Sequence, residues 1–314
     1  MKFARRSIRG GNAGLRERVA GHRSIARKWV GGSARTACPR FADRTPADLS
    51  VLKWIVVASA MLVLLMAAPV RAQITAEEVV KRQQDAFLYA GDDFRAQVSM
   101  RLVDKDGNER RRKLTMLRVD TEGESSQKYY MYFQEPADVR ATAFLVWKYL
   151  DKDDDRWLFI PAIKLVTRVA AKDAQSSFVG SDFSYEDISG RDLGADTHTL
   201  VREEAREGKE CYVIESVPKS GSAFARKVAW IEKTSFLPIR EEYYDVQNQL
   251  AKVFTADEIA EVGGHPTVVR RTMTDVKREH HTEVVFEDVA YDTGLDESLF
   301  SDRYLQKPPA QWIQ

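Results

Sequence analysis

Apolar and polar residues alternate with period two in run after run along this chain. In the first run Phe94, Ala96, Val98, Met100 and Leu102 fall on one face of an extended segment, and Arg95, Gln97, Ser99 and Arg101 fall on the other. KDGNE follows, with Asp106-Gly107 at the centre of a hairpin turn, and the return strand is RRRKLTMLRVD. Further strands are predicted at SQKYYMYFQ, ATAFLVWKYL, DRWLFIPAI and KLVTRVAA. Beyond residues 172–195 they resume at HTLVREEA, CYVIESV, ARKVAWIE, PIREEYYD, LAKVFTADEIAEV, PTVVRRTMTDVKR and TEVVFEDVAYD. Spacings of roughly 10–15 residues with no long helix between strands argue for antiparallel order rather than parallel β-α-β units. Period 3.6 appears once, in TAEEVVKRQQDAFLYA, where Thr75 and Glu78 have capping-box spacing and Val79, Val80, Gln83, Phe87 and Leu88 make a stripe. The reading is about twelve strands in one extended sheet with at most three helices, LDESLFSDRYL supplying a short one near the end.

The places where alternation fails are more informative. YYMYF and AFLVW are apolar on both faces, so both sides of the first half of the sheet need cover. In the second half polar side chains return (Arg226, Glu232, Arg240, Glu242, Arg270, Arg271), which predicts one solvated face there. Helices are too few to finish the cover, and the stretch SFVGSDFSYEDI at 177–188, rich in aromatics without strand or helix period, is the available loop. Its rings Phe178, Phe183 and Tyr185 are expected to turn inward, with Gly180 permitting the bend and Asp182, Glu186 and Asp187 kept toward water or backbone amides. An apolar cavity or its lid would draw on Phe144, Trp147, Trp157, Phe159, Phe178, Gly180, Phe183 and Tyr185.

Charge divides the chain. Residues 1–50 carry 12 Lys/Arg against three acids, whereas from Gln73 onward there are 34 basic and 44 acidic residues. The acidic body excludes a nucleic-acid partner, which would ask for a basic face. Between them KWIVVASAMLVLLMAAPVRAQ has a positive flank, an apolar run of about fifteen residues and a small-x-small site at Val70-Arg71-Ala72, the pattern of a secretory signal peptide cleaved near Ala72. A spanning helix prefers about 20 residues. The expected organisation is therefore a non-native or disordered extension over 1–50, with the true start nearer Leu49 or Val51, a signal peptide over 51–72, and a single domain over 73–314.

Chemistry-bearing motifs are scarce. Cys211 is the sole cysteine after the leader and sits in a strand, where a small buried apolar role is expected. His280 and His281 are adjacent in a strand and point to opposite faces, and neither HExxH nor CxxC occurs, so no metal site is predicted. GxSxG, P-loop and GxGxxG patterns are absent, which leaves no catalytic residue and no cofactor to assign. The acidic run at 153–155 reads as a solvated turn. Several arginines lie beside apolar strands, where a guanidinium needs an acid or a ligand head group; Arg118 and Arg168 are the expected head-group contacts.

The run DDDRWLFIPAIKLVTRVAAKDAQSSFVGSDFSYEDI resembles the outer membrane lipoprotein-sorting proteins, relatives of the periplasmic lipoprotein carrier LolA. The resemblance is carried by the strand end at 157–161, the Arg168 region, and Phe178, Gly180, Ser181, Asp182, Phe183, Tyr185, Glu186 and Asp187. It implies a mainly β fold, a strongly curved antiparallel sheet forming an incomplete (half) β-barrel whose concave face is closed by a few helices and loops. It also implies a non-enzymatic periplasmic carrier that binds acyl chains of a lipid or lipoprotein, touches membranes transiently, and works with an inner-membrane exporter of the resistance-nodulation-division (RND) type. The chain departs from LolA in being longer by several strand-sized segments, which leaves a free lipid as admissible a cargo as a lipoprotein. A reading from another class is an envelope sensor or adaptor that binds lipid or peptide and reports to a membrane-bound regulator.

Overall fold

The computed structural model describes residues 73–122, 126–150 and 152–313; the expected extension and signal peptide lie outside them. Thirteen strands form one antiparallel sheet: β1 (Asp93–Val103), β2 (Glu109–Asp120), β3 (Gln127–Glu135), β4 (Ala143–Lys148), β5 (Asp155–Ile160), β6 (Leu165–Arg168), β7 (Asp196–Arg206), β8 (Lys209–Pro218), β9 (Arg226–Glu232), β10 (Pro238–Tyr244), β11 (Leu250–Val262), β12 (His265–Asp275) and β13 (His280–Tyr291). The order across the sheet is β6-β5-β4-β3-β2-β1-β13-β12-β11-β10-β9-β8-β7, two meanders joined where β1 pairs with β13. The two edge strands, β6 and β7, are consecutive in the chain. The connection between them, residues 169–195, must therefore travel from one edge of the sheet to the other. That crossing contains the aromatic loop and a short helix α2 (Tyr185–Ser189).

Helix α1 (Ala76–Leu88) begins at Thr75, whose hydroxyl accepts from the Glu78 amide at 3.2 Å. Its buried stripe, Ala76, Val79 and Val80, packs on Ile214 and Ala229 of β8 and β9 and on Ile231. Each fully buried valine contributes about 1.5–3 kcal/mol. At its other end Phe87 meets Phe254 of β11 edge to face at 5.6 Å, and the Leu88 carbonyl accepts from Arg118 of β2. A flat sheet of thirteen strands would be about 58 Å wide, and a thirteen-residue helix is about 20 Å long. The helix can reach strands that far apart only because the sheet curls around it. β-Bulges, at Arg95/Gln97 against β13 and at Ala256/Glu258 and Glu258/Ile259 between β11 and β12, add the twist this curl needs.

Both faces of the first half are buried. On the concave side the Phe94–Leu102 set of β1 joins Leu114, Met116, Tyr129, Met131, Phe133, Phe144 and Val146 beneath the crossing. On the convex side Leu117, Tyr130, Leu145, Trp147, Trp157 and Phe159 lie under the segment after β13, through Leu295, Leu299, Phe300 and Leu305, the last in α3 (Arg303–Gln306). Trp147 Nε1 donates to the Phe300 carbonyl at 2.8 Å. Three cavity residues predicted from sequence, Trp147, Trp157 and Phe159, thus stand on the opposite face from Phe144, because adjacent strand positions alternate sides.

Two polar expectations also change. Asp154 is not in a solvated turn: it is buried, 2.6 Å from Arg156 and 3.6 Å from Lys148. Arg271 is not on a solvated face, since it neighbours Arg270 in β12 and only one of the two can point outward; Arg270 is exposed beside Glu258, and Arg271 is buried.

Candidate functional site

The crossing places the aromatic loop on the concave face. Ser177 bridges to Ser184, and the Phe178 amide donates to the Phe183 carbonyl at 2.7 Å, closing a tight loop. Val179 and Gly180 both have positive φ, 47° and 75°. Glycine takes this conformation freely, while a β-branched valine in it is strained. The rings turn inward: Phe178 lies 5.8 Å from Phe133 and 5.3 Å from Phe144, and Tyr185 lies 5.2 Å from Phe144 and 5.6 Å from Phe178. Phe178, Phe183 and Tyr185 are all buried.

The acids divide. Asp187 accepts from the Ser184 amide at 2.7 Å and completes a capping box at the start of α2, and Glu186 pairs with Arg191 at 2.9 Å. Asp182, expected toward water or backbone amides, is instead buried, with His280 Nδ1 at 2.5 Å and the Thr282 hydroxyl donating at 2.7 Å. A buried carboxylate needs such partners, and these lie on β13. Cations hold the loop backbone as well: Lys252 Nζ donates to the Asp182 carbonyl at 2.8 Å and Arg112 to the Val179 carbonyl. At the far end of α2, Lys148 Nζ donates to the Gly190 carbonyl at 3.1 Å. Arg118 is buried with its guanidinium spread over the carbonyls of Leu88, Ala90 and Gly91. Arg168 is largely exposed on edge strand β6 and pairs with Asp155, away from the concave cavities.

Two concave-face cavities flank the end of α1 and share Phe87 and Leu88 in their walls. The larger, about 140 Å³, lies beside the crossing and strands β9 to β12, against Phe224, Tyr243 and Met273. Lys227 meets Glu241 there at 3.0 Å; burial opposes its charge, but the carboxylate outweighs burial and holds its pKa above the usual lysine value. The smaller, about 50 Å³, lies toward β1, β2, β12 and β13 and is lined by Phe94, Met116, Tyr129, Phe286, Arg118 and Arg271. Sequence reasoning missed Phe87 and Arg271; helix periodicity flagged Phe87 as core, and strict alternation from Met273 would have turned Arg271 inward.

Among the described residues no group of three His, Cys, Asp or Glu is placed to hold a metal ion. Cys211 is fully buried on the convex side, and burial pushes its thiol pKa up, away from the reactive thiolate.

A family model with the description "uncharacterized protein" matches residues 125–307, more than half of the chain. The chain belongs to this family, the DUF1329 family. A solved DUF1329 family protein from Desulfovibrio piger is 29% identical, with 73% of this chain and 96% of that one covered and a TM-score of 0.66. An outer membrane lipoprotein-sorting protein domain from Vibrio parahaemolyticus is 26% identical, with 74% and 98% covered and a TM-score of 0.68. A LolA superfamily protein from Nitrosomonas europaea, 21% identical with 74% and 100% covered and a TM-score of 0.59, shares the fold. No curated protein matches significantly in sequence. The DUF1329 chain therefore has the LolA-like fold: mainly β, one open antiparallel sheet with few helices.

Proposed function

We propose that this protein is a periplasmic carrier that shelters the acyl chains of a lipid or lipoprotein against its concave face and passes the cargo toward the outer membrane. No bond is made or broken. The observation that carries this reading is the pair of cavities separated by Phe87, on an apolar face that, among the described residues, is roofed by one long helix and one crossing loop. The likeness to a lipoprotein-sorting domain supports it. The leader read at 51–72 supports export. Burial of each methylene supplies about 0.8 kcal/mol. A cavity of 140 Å³ is close to the roughly 150 Å³ that holds one benzene, so a long chain enters only when Phe87 and its helix, or the crossing, moves aside. An RND-type exporter in the inner membrane is the partner that the family resemblance suggests.

Native mass spectrometry and lipid extraction on protein purified from the periplasm should find a co-purifying amphiphile, and the delipidated protein should take up fluorescent acyl probes and move them between vesicles. Protein that arrives empty and takes up no probe would sink the carrier reading.

A further inference from the structure

Arg271 stands out on the concave face. It is 8% exposed, and its guanidinium sits over the rings of Phe286, Phe87 and Phe183 at 4.5, 5.3 and 5.5 Å. Among the described residues it forms no ion pair, and its buried Nε has no hydrogen-bond partner. Burial pulls its pKa down to about 10, opposed only by Asp187, whose carboxylate accepts from the amide and hydroxyl of Ser184 in the capping box of α2. The group is still a cation at neutral pH. Ring faces attract a cation, but they accept none of the five N–H bonds that a guanidinium directs in a rigid fork.

The smaller cavity adds an independent observation. Arg271 and Arg118 both line it, no Asp or Glu does, and most of the remaining wall is hydrocarbon. Arg118 spends its Nη groups on backbone carbonyls and likewise leaves a buried Nε without a partner. The larger cavity beyond Phe87 is different, with Glu186, Asp187 and Glu241 in its wall to balance its cations. Arg118 also has Asp120 at 3.7 Å, outside the cavity wall, so Arg271 is the guanidinium without an acid. A cation so placed in a wall free of carboxylates favours an anion, and the hydrocarbon around it favours a chain attached to that anion.

We propose that Arg271 receives the acid group of an amphiphilic cargo, a carboxylate or a phosphate monoester, whose hydrocarbon chain runs past Phe87 toward the larger cavity. This rests on the carrier reading and narrows it. The chains of an acylated lipoprotein are ester- or amide-linked and present no such acid, so the cargo is a free acidic amphiphile.

Binding of dodecanoate, its methyl ester, dodecyl phosphate and inorganic phosphate to the delipidated wild type and Arg271→Met, with thermal unfolding of both, tests the idea. In the wild type one or both acidic amphiphiles should bind at least about tenfold tighter than the ester. Arg271→Met should weaken acid binding about 30-fold or more, leave the ester unchanged, and not lower the ligand-free melting temperature, since an unpaired buried charge has been removed. Should Arg271→Met fail to fold, Arg271→Lys keeps the charge without the fork and should weaken the acids but not the ester. Equal binding of acid and ester, unaltered by the substitution, would overturn the proposal and leave the carrier reading standing. Binding of inorganic phosphate as tight as that of dodecyl phosphate would overturn it in favour of a plain anion site. No binding of any chain-bearing ligand would overturn both.

Discussion

At the scale of single residues, the strongest local device is Asp93. The carboxylate at the start of β1 is 3% exposed and accepts from the Thr293 amide and hydroxyl and the Gly294 and Leu295 amides at 2.6–2.9 Å. Burial alone would raise its pKa, but the four donors outweigh burial and hold it below the usual carboxylate value. A depressed folded pKa gives stability that is present above the unfolded value of about 3.9 and is lost as pH falls through the folded value. Melting temperature should therefore drop below about pH 4, and part of that drop should vanish in Asp93→Ala, which should cost about 2–3 kcal/mol at pH 7 by leaving buried amides unpaired. Equal acid sensitivity in the two proteins would refute this. Nothing in GDDF distinguishes Asp93 from Asp92, whose side chain has no such role. Asp182 is similar: the motif marked it, but its partners His280 and Thr282 lie 98 and 100 residues away. Pairings that span the chain leave no local signal. Arg271 is the opposite case, legible in principle from strand parity alone.

Among the elements, the strands were plain from period two, and β1 presents to the core the five side chains its alternation picks out. The inward turn of the loop rings was legible from its excess of aromatics. Which face each aromatic serves was not, because a strand apolar on both sides does not say what covers either one; Trp147 and Trp157 serve the convex cover, 5.1 Å apart. Helix α1 acts through Phe87, the partition between the two cavities. Phe87→Ala should join them, cost about 2 kcal/mol because the ring is only partly buried, and increase uptake of acyl probes; Phe87→Trp should decrease uptake. Calorimetry with a probe titration reads both, and unchanged uptake in the two variants would mean that chains do not pass this ring. Asp182→Ala should release the crossing, seen as faster proteolysis within residues 169–195.

For the whole molecule, removing residues 295–313 should strip the convex cover from Leu145, Trp147, Trp157 and Phe159, producing dye binding and association of the truncated protein. A monomeric truncated protein that binds no dye would show that those side chains are covered otherwise. Strand order was the least legible property, since a pattern of strands does not say that the first pairs with the last. That pairing has a further meaning. The sheet is two contiguous pieces of chain, 93–168 and 196–291, that touch edge to edge along β1 and β13 and are tethered covalently by the crossing alone. A chain delivered from its beginning completes the first piece early, but β1 waits for its partner until the last strand arrives. A single cut in the crossing would turn the protein into a heterodimer of two fragments, joined by the antiparallel seam of β1 and β13, by α1 lying on β8 and β9, and by the segment after β13 lying on β3 to β5.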